Sequence, residues 1–196
     1  SAIRKLASEQ YHDVAIDSQV NLNLIQFYNT YPSSEVNGNF MTCWKMYADT
    51  PMDESVSQML YPDIKNKIEG LSDVQAVNQI LNWVQTAFQY EYDDKIWGHD
   101  RAFFAEETLY YPYCDCEDRA ILFTRLVRDL LGLKCILVYY PGHLASAVCL
   151  KQQVNGDYIS LDGDVYTICD PTYIGAPVGI TMPEMDNRSA KVIKLL

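Results

Sequence analysis

The strongest constraint on the fold is an amphipathic segment from Cys116 to Leu131 with a clear start and a clear stop. Its apolar residues form one broad helical face, and Gly132 follows as a C-terminal stop signal. Asp115 is a good N-cap residue, and Asp118 falls three residues later, as in a capping box. The pattern predicts a helix whose first residue is Cys116.

Three strand-like runs follow this helix, namely Lys134 to Tyr140, Leu144 to Leu150 and Tyr158 to Asp170. The third run is interrupted by Asp162-Gly163-Asp164, which is typical of a hairpin turn. Helices that precede an antiparallel sheet predict an α+β domain.

Two further helices are predicted upstream. One starts at Asp53-Glu54 and runs to about Ile68, restarted or kinked at Pro62, and the other starts at Ser72 and extends towards Phe88. The aromatic-rich stretch from Lys95 to Tyr113 lacks a clear period. It is either the wall of a groove or a packed connector.

The first fifty residues have a different pattern from the rest. Gln19 to Leu24 alternates like a weak strand, although Leu24-Ile25 with Phe27-Tyr28 would also suit a helix. The segment from Pro32 to Asn39 contains loop-forming residues. We expect residues 1–50 to be an N-terminal appendage or the remnant of an upstream segment, and residues 51–196 to form the main domain.

The charge of the chain excludes some classes of partner. The 196 residues carry a formal charge of −11, from 15 basic and 26 acidic side chains. Binding to a phosphate backbone or to anionic lipid requires clustered Lys and Arg, so we expect no nucleic acid partner. The longest apolar run, Cys135 to Tyr140, is too short to span a bilayer, so no transmembrane segment is predicted. Oligomeric state and cellular location are left open.

Three residue types that can form a thiol-based active site follow one another along the chain. Cys116 opens the predicted helix, His143 enters the second strand run and Asp170 ends the last. A helix N-terminus stabilises a thiolate, and a neighbouring imidazole takes the thiol proton. A carboxylate behind the imidazole fixes its tautomer. We therefore predict Cys116 as nucleophile, His143 as general base and Asp170 as the residue that orients His143.

The residues around this trio form three ordered blocks. Cys116-Glu117-Asp118-Arg119-Ala120 resembles the Cys-x-Asp-x-Ala signature of the transglutaminase-like superfamily, which has a papain-like fold. Gly142-His143-Leu144-Ala145 resembles its His-Ala block, and Asp170-Pro171-Thr172 resembles its Asp-Pro-Thr block. Upstream, Trp83 and Phe88-Gln89-Tyr90 look like the helix and aromatic segment that precede the cysteine in this family. The resemblance covers roughly residues 50 to 185 and implies a transglutaminase-like domain at residues 51–196.

The sequence also departs from this family. Tyr113-Cys114-Asp115 stands where a Gly often precedes the cysteine, and Ala145 stands where an aromatic residue often follows the histidine. Carboxylates at Asp115, Glu117 and Asp118 surround the nucleophile and oppose its ionisation.

The resemblance implies acyl transfer from an amide through a thioester on Cys116. Water would be the acceptor in a peptidase or amidase, and an amine in a crosslinking enzyme. We expect hydrolysis of a peptide or amide bond, with a peptide or protein as substrate. The alternatives are a non-catalytic interaction module that keeps the fold, and a thiol-redox protein that uses Cys114 with Cys116.

No cofactor or metal is expected from the sequence. Cys114, Cys116 and His143 lack a clear fourth ligand for zinc, and six cysteines in a chain of this size do not indicate a disulfide framework. The acidic pairs Asp93-Asp94 and Glu106-Glu107 are expected to be solvated.

A second donor to the oxyanion is also expected near the nucleophile. Trp97, Tyr92 and Tyr110 are candidates, because an indole N–H or a phenol O–H can point into a site.

Overall fold

A computed structural model of the chain describes residues 2–31 and 39–196, which form seven helices and nine strands. The helices are α1 (Leu22–Tyr28), α2 (Phe40–Asp49), α3 (Glu54–Ile68), α4 (Asp73–Thr86), α5 (Asp93–Ile96), α6 (Ala105–Tyr110) and α7 (Cys116–Leu131). The strands are β1 (Arg4–Ala7), β2 (Ala15–Ser18), β3 (Gln89–Tyr90), β4 (Tyr113–Cys114), β5 (Cys135–Tyr140), β6 (His143–Val148), β7 (Tyr158–Leu161), β8 (Asp164–Cys169) and β9 (Lys191–Lys194).

The start and the end of α7 are those that the sequence predicts. At the start, Asp118 Oδ2 accepts a hydrogen bond from the Asp115 backbone N–H at 3.0 Å. Its other oxygen accepts from the Phe103 N–H at 2.8 Å, so the same carboxylate also ties down the preceding connector. At the end, Gly132 takes the left-handed conformation, with φ of 65°. That conformation closes many helices and favours glycine.

The main sheet is antiparallel, with strand order β7-β8-β6-β5-β9. A two-residue turn at Pro141-Gly142 joins β5 to β6, so that Tyr140 pairs directly with His143. Another joins β7 to β8, where Asp162 and Gly163 both have positive φ. The predicted α+β class and the Asp-Gly-Asp hairpin are thus confirmed.

Several element predictions need correction. The strand suggested at Gln19 to Leu24 is wrong, since α1 begins at Leu22 with Asn21 as its N-cap. Helix α3 runs without a break through Pro62. Proline has no N–H, so the carbonyl of Gln58, four residues earlier, lacks its helical donor; both residues are exposed, and water can solvate this carbonyl. The irregular stretch from Lys95 to Tyr113 contains α6 and the second half of α5.

Five strands outside the predicted runs were also missed. They are the antiparallel β1–β2 hairpin near the N-terminus, the parallel pair β3–β4 and the edge strand β9. The loop residues predicted between Pro32 and Gly38 lie outside the described residues, and Asn39 is the N-cap of α2.

The first fifty residues contribute to the hydrophobic core. Leu6 and Ile16 belong to the same buried cluster as Trp83 of α4 and Leu122 of α7. The Trp83 indole N–H also donates to the Leu6 carbonyl at 3.0 Å. The β1–β2 hairpin is therefore packed on the helices, and the division of the chain at residue 50 stays a prediction.

Within the described ranges, none of the helices combines the length and the apolar character needed to cross a bilayer.

We expect Ile16→Ala to lower the free energy of unfolding of the whole chain by about 3 kcal/mol, because a buried Ile side chain leaves a cavity when truncated. Ile3→Ala is the matched control, since Ile3 is 61% exposed and Ile16 only 1%. Denaturant unfolding followed by tryptophan fluorescence and circular dichroism measures both. A separate early transition, with the main transition unchanged, would contradict the packing of this hairpin on the common core.

Candidate active site

Cys116 is the first residue of α7, so its side chain lies beside the N–H groups of the first helical turn. It is 8% exposed and packs with Ala120 of the same helix and with Leu144 of β6. The predicted placement of the cysteine at a helix N-terminus is confirmed by the structure.

The sheet register places His143 and Asp170 on one face. Ser146 of β6 pairs with Cys169 of β8. Continuing that register by one residue places Asp170 opposite Ala145, and His143 lies two residues before Ala145 on the same side. His143 and Asp170 are thus diagonal neighbours across the two strands.

The carboxylate of Asp170 is fixed from two sides. Its Oδ1 accepts hydrogen bonds from the backbone N–H groups of Thr172 at 2.9 Å and Tyr173 at 3.3 Å. Its Oδ2 lies 2.7 Å from His143 Nε2, and both residues are buried. His143 Nδ1 makes no hydrogen bond to any of the described residues. The structure therefore pairs two members of the predicted trio directly and leaves the second imidazole nitrogen available.

The Cys116 thiol bonds to a carboxylate rather than to the imidazole. Its Sγ donates to Glu117 Oε2 at 3.2 Å. Burial, with the charges of Glu117 and Asp115, raises the pKa of this thiol well above its usual value, and the Leu144 backbone N–H acts in the opposite direction. In this arrangement Cys116 is a protonated thiol.

Cys116 and His143 open onto the same cavity, which has a volume of about 270 Å³. Its aromatic lining residues are Phe40, Trp44, Tyr90, Tyr92 and Tyr139, and its acidic ones are Asp100, Asp115 and Glu117. Of the three candidates for a second oxyanion donor, only Tyr92 lines this cavity; Trp97 and Tyr110 do not. The stretch from Lys95 to Tyr113 contributes Asp100 alone, so its aromatic residues act mainly as packing.

Sequence reasoning missed Phe40 and Trp44, which come from α2 in the first fifty residues. Tyr90 was noted only as part of the family resemblance. A parallel pairing of β3 with β4 places Tyr90 beside Cys114, two residues before the nucleophile. No local pattern predicts a two-residue parallel pair, so this neighbour was not foreseeable.

Three carboxylates beside the nucleophile lie close to one another. One oxygen each from Asp93, Asp115 and Glu117 falls within 4.8 Å of the others, which is close enough for the groups to share protons or bind a cation. Asp115 Oδ1 is buried and has no hydrogen-bond partner among the described residues. The prediction that Asp93 is solvated is wrong, since it is 6% exposed.

The prediction that Glu106-Glu107 is solvated is also wrong. Glu106 accepts a hydrogen bond from the Asp53 backbone N–H at 2.6 Å, and Glu107 pairs with Arg101 at 2.8 Å. Both glutamates are almost fully buried. They therefore accept hydrogen bonds from neighbouring elements rather than face water.

Arg119 connects the start of α7 to the loops around it. It is buried, and its guanidinium donates to the carbonyls of Gln85 at 3.0 Å, Phe88 at 2.9 Å and Pro171 at 3.5 Å, and to Cys114 Sγ at 3.4 Å. Cys114 is buried against this guanidinium, and both Cys114 and Cys116 are unpaired thiols.

Gln85 of α4 connects to the loop that follows β8. Its Nε2 donates to the carbonyls of Asp170 and Ala176, both at 3.0 Å, and its Oε1 accepts from the Gly175 N–H at 3.1 Å. Gln85 is 1% exposed, and its bonds to the two carbonyls satisfy backbone groups that are buried. The backbone of Asp170 is thereby fixed to a helix that packs against α7.

No family model, curated protein or solved structure matches the chain.

We expect Gln85→Met to lower the free energy of unfolding by about 3 kcal/mol, because methionine has a similar volume but leaves the buried carbonyls of Asp170 and Ala176 without this donor. The same change at Gln58, which is exposed on α3, is the matched control and should cost less than about 0.5 kcal/mol. Thermal and denaturant unfolding measure both variants. Equal effects at the two positions would contradict the bridging role of Gln85.

The acidic cluster also predicts a pH dependence of stability. Burial raises the pKa of Asp93 from 3.8 to about 6, despite the Arg101 N–H bonded to it. The folded chain therefore holds this proton more tightly than the unfolded chain, and stability falls as pH rises from about 4 to about 6.

We expect Asp93→Asn to flatten this fall and to raise the free energy of unfolding near neutral pH by about 1 kcal/mol. Denaturant unfolding across this pH range, in buffer with EDTA, measures the effect. Asp94→Asn is the control, since Asp94 is exposed on the same helix. A wild-type profile that the Asp93 variant leaves unchanged would contradict the assignment.

Proposed function

We propose that the site performs thiol-dependent acyl transfer on a peptide or amide bond, with water as the acceptor. Cys116 is the nucleophile, His143 the general base and Asp170 the residue that orients His143. We further propose that the domain has the papain-like architecture of transglutaminase-like proteins. The observation that carries the proposal is the buried 2.7 Å contact between His143 and Asp170 on the cavity that Cys116 lines.

The tautomer of His143 follows from that contact. Asp170 accepts a hydrogen bond from Nε2–H, so the neutral imidazole keeps its lone pair on Nδ1. Because His143 and Cys116 line one cavity, the step proposed is that the thiol turns away from Glu117 and passes its proton to Nδ1. This transfer yields a thiolate and an imidazolium stabilised by Asp170.

The thiolate then attacks the carbonyl carbon of the amide and forms a carbon–sulfur bond. Two groups support the negative charge that develops on the carbonyl oxygen: the N–H groups in the first turn of α7, and a phenol from Tyr90 or Tyr92. Burial raises the pKa of Tyr90, so its hydroxyl stays protonated and able to donate. Collapse of the intermediate breaks the carbon–nitrogen bond, and the leaving amine takes the proton from Nδ1.

A water molecule completes the cycle. His143 Nδ1 removes a proton from water, which attacks the thioester, and the carbon–sulfur bond breaks. The acid leaves, the thiolate regains the proton, and the starting thiol is restored. The cavity of about 270 Å³ has room for both the acyl group and this water.

A non-catalytic interaction module is the second candidate. It is favoured by one observation, the hydrogen bond from the Cys116 thiol to Glu117 in place of His143. A protonated cysteine held in this way is not a nucleophile, while the aromatic cavity is still able to bind a partner. The two candidates differ in the reactivity of the thiol.

Alkylation by iodoacetamide, followed at the Cys116 peptide by mass spectrometry, tests the proposal. We expect wild-type Cys116 to react at pH 6 at least about tenfold faster than a model thiol, because proton transfer to His143 supplies a thiolate, whereas a model thiol with a pKa near 8.5 is protonated there. His143→Ala should remove this advantage, and Asp170→Asn should reduce it.

His99→Ala is the matched control, because His99 lies on an exposed turn and does not line the cavity. It should leave the labelling rate unchanged. If wild-type Cys116 labels no faster than the model thiol, and His143→Ala has no effect, the acyl-transfer proposal fails and the interaction module stands.

A further inference from the structure

The charge of the candidate cavity has one sign. Asp100, Asp115 and Glu117 line it, and none of its lining residues in the described part of the chain is Lys or Arg. Asp115 is 7% exposed and its Oδ1 makes no hydrogen bond within the described residues. A buried acceptor without a donor is costly, so a ligand group that donates hydrogen bonds is favoured here. Burial and the neighbouring Asp118 raise the pKa of Asp115 to about 12, so the negative charge at the cavity near pH 7 is that of Asp100 and Glu117.

The remaining walls are aromatic. Among them the rings of Trp44 and Tyr139 lie 5.4 Å apart, and those of Tyr90 and Tyr92 lie 5.5 Å apart; the Arg119 guanidinium already lies 5.3 Å from the Tyr90 ring. Aromatic faces attract cations through their quadrupole, and indole does so most strongly. Rings and carboxylates on one cavity are thus complementary to an organic cation with an aliphatic stem.

We propose that the substrate carries a cationic side chain, an ammonium or a guanidinium, next to the amide that Cys116 attacks. This inference rests on the proposed function and names its substrate class. The aliphatic stem lies between the rings, and the charged end meets the carboxylates of Asp100 and Glu117. An acidic side chain at the same position is repelled.

An organic cation accounts for more of the cavity than a metal ion does. A metal ion uses carboxylate oxygens and leaves the four rings without a role. A Lys or Arg side chain contacts rings and carboxylates together, and a volume of about 270 Å³ suits a side chain better than an ion.

The test uses four probes with the same reactive group, an N-iodoacetyl group. They are the derivatives of lysinamide, argininamide, norleucinamide and the α-amide of glutamic acid, whose side-chain carboxylate is free. In each case the Cys116 sulfur displaces iodide and forms a carbon–sulfur bond, which is measured at the Cys116 peptide by mass spectrometry. We expect the lysine and arginine probes to react about tenfold faster than the norleucine probe, which is the size of effect expected from one charge-assisted contact with a ring. The glutamate probe should react more slowly than the norleucine probe.

Two variants locate the preference. Asp100→Asn removes one carboxylate from the cavity, and Tyr92→Leu removes one ring; each should lower the ratio of the lysine rate to the norleucine rate about threefold. Asp94→Asn and Tyr158→Leu are the matched controls, since both residues are exposed and neither lines the cavity. The controls should keep the wild-type ratio.

Equal rates for the lysine and norleucine probes, in buffer with EDTA to keep metal ions off the carboxylates, would overturn the proposal. Failure of the proposed function is distinguishable. If the proposed function fails, the norleucine probe labels Cys116 no faster than a model thiol. If only the cationic-substrate proposal fails, the norleucine probe labels Cys116 fast and the preference for the cationic probes is missing.

Discussion

The candidate site depends on one fully buried carboxylate, that of Asp118. It accepts hydrogen bonds from Asp115 at the start of α7 and from Phe103 in the preceding connector. Burial and the nearby charge of Glu117 raise the pKa of Asp118 well above its usual range, so the fold maintains this group at a cost in free energy. In return, the first turn of α7 is positioned against the chain that leads into it, and Cys116 is the first residue of that turn.

The electrostatics of the site oppose the chemistry that its geometry suits. The helix N-terminus and the His143–Asp170 pair favour a thiolate, whereas Glu117 and Asp115 favour the protonated thiol. Carboxylates so close to a nucleophile make its ionisation sensitive to whatever neutralises them. A positively charged substrate would both bind to these groups and weaken their effect on the sulfur.

Local patterns in the sequence predicted the elements that carry the trio. The caps of α7, the hairpin at Asp162-Gly163 and the positions of His143 and Asp170 at strand ends all follow from short-range chemistry. The burial of Asp93, the β3–β4 pairing and the aromatic wall from α2 depend on contacts between residues far apart in sequence, which no periodicity encodes. For the same reason the first fifty residues gave no sign that they line the cavity.

The turn between β5 and β6 fixes the length of the chain at one point. Since only Pro141 and Gly142 separate Tyr140 from its partner His143, one inserted residue would move the imidazole to the other face of the sheet, away from Asp170. The connection from Val148 to Tyr158 is restricted in another way, because Gly156 packs closely on Gly179 and the Asp157 N–H donates to the Gly179 carbonyl. The position of the imidazole therefore sets the length of the first connection, and backbone packing restricts the second.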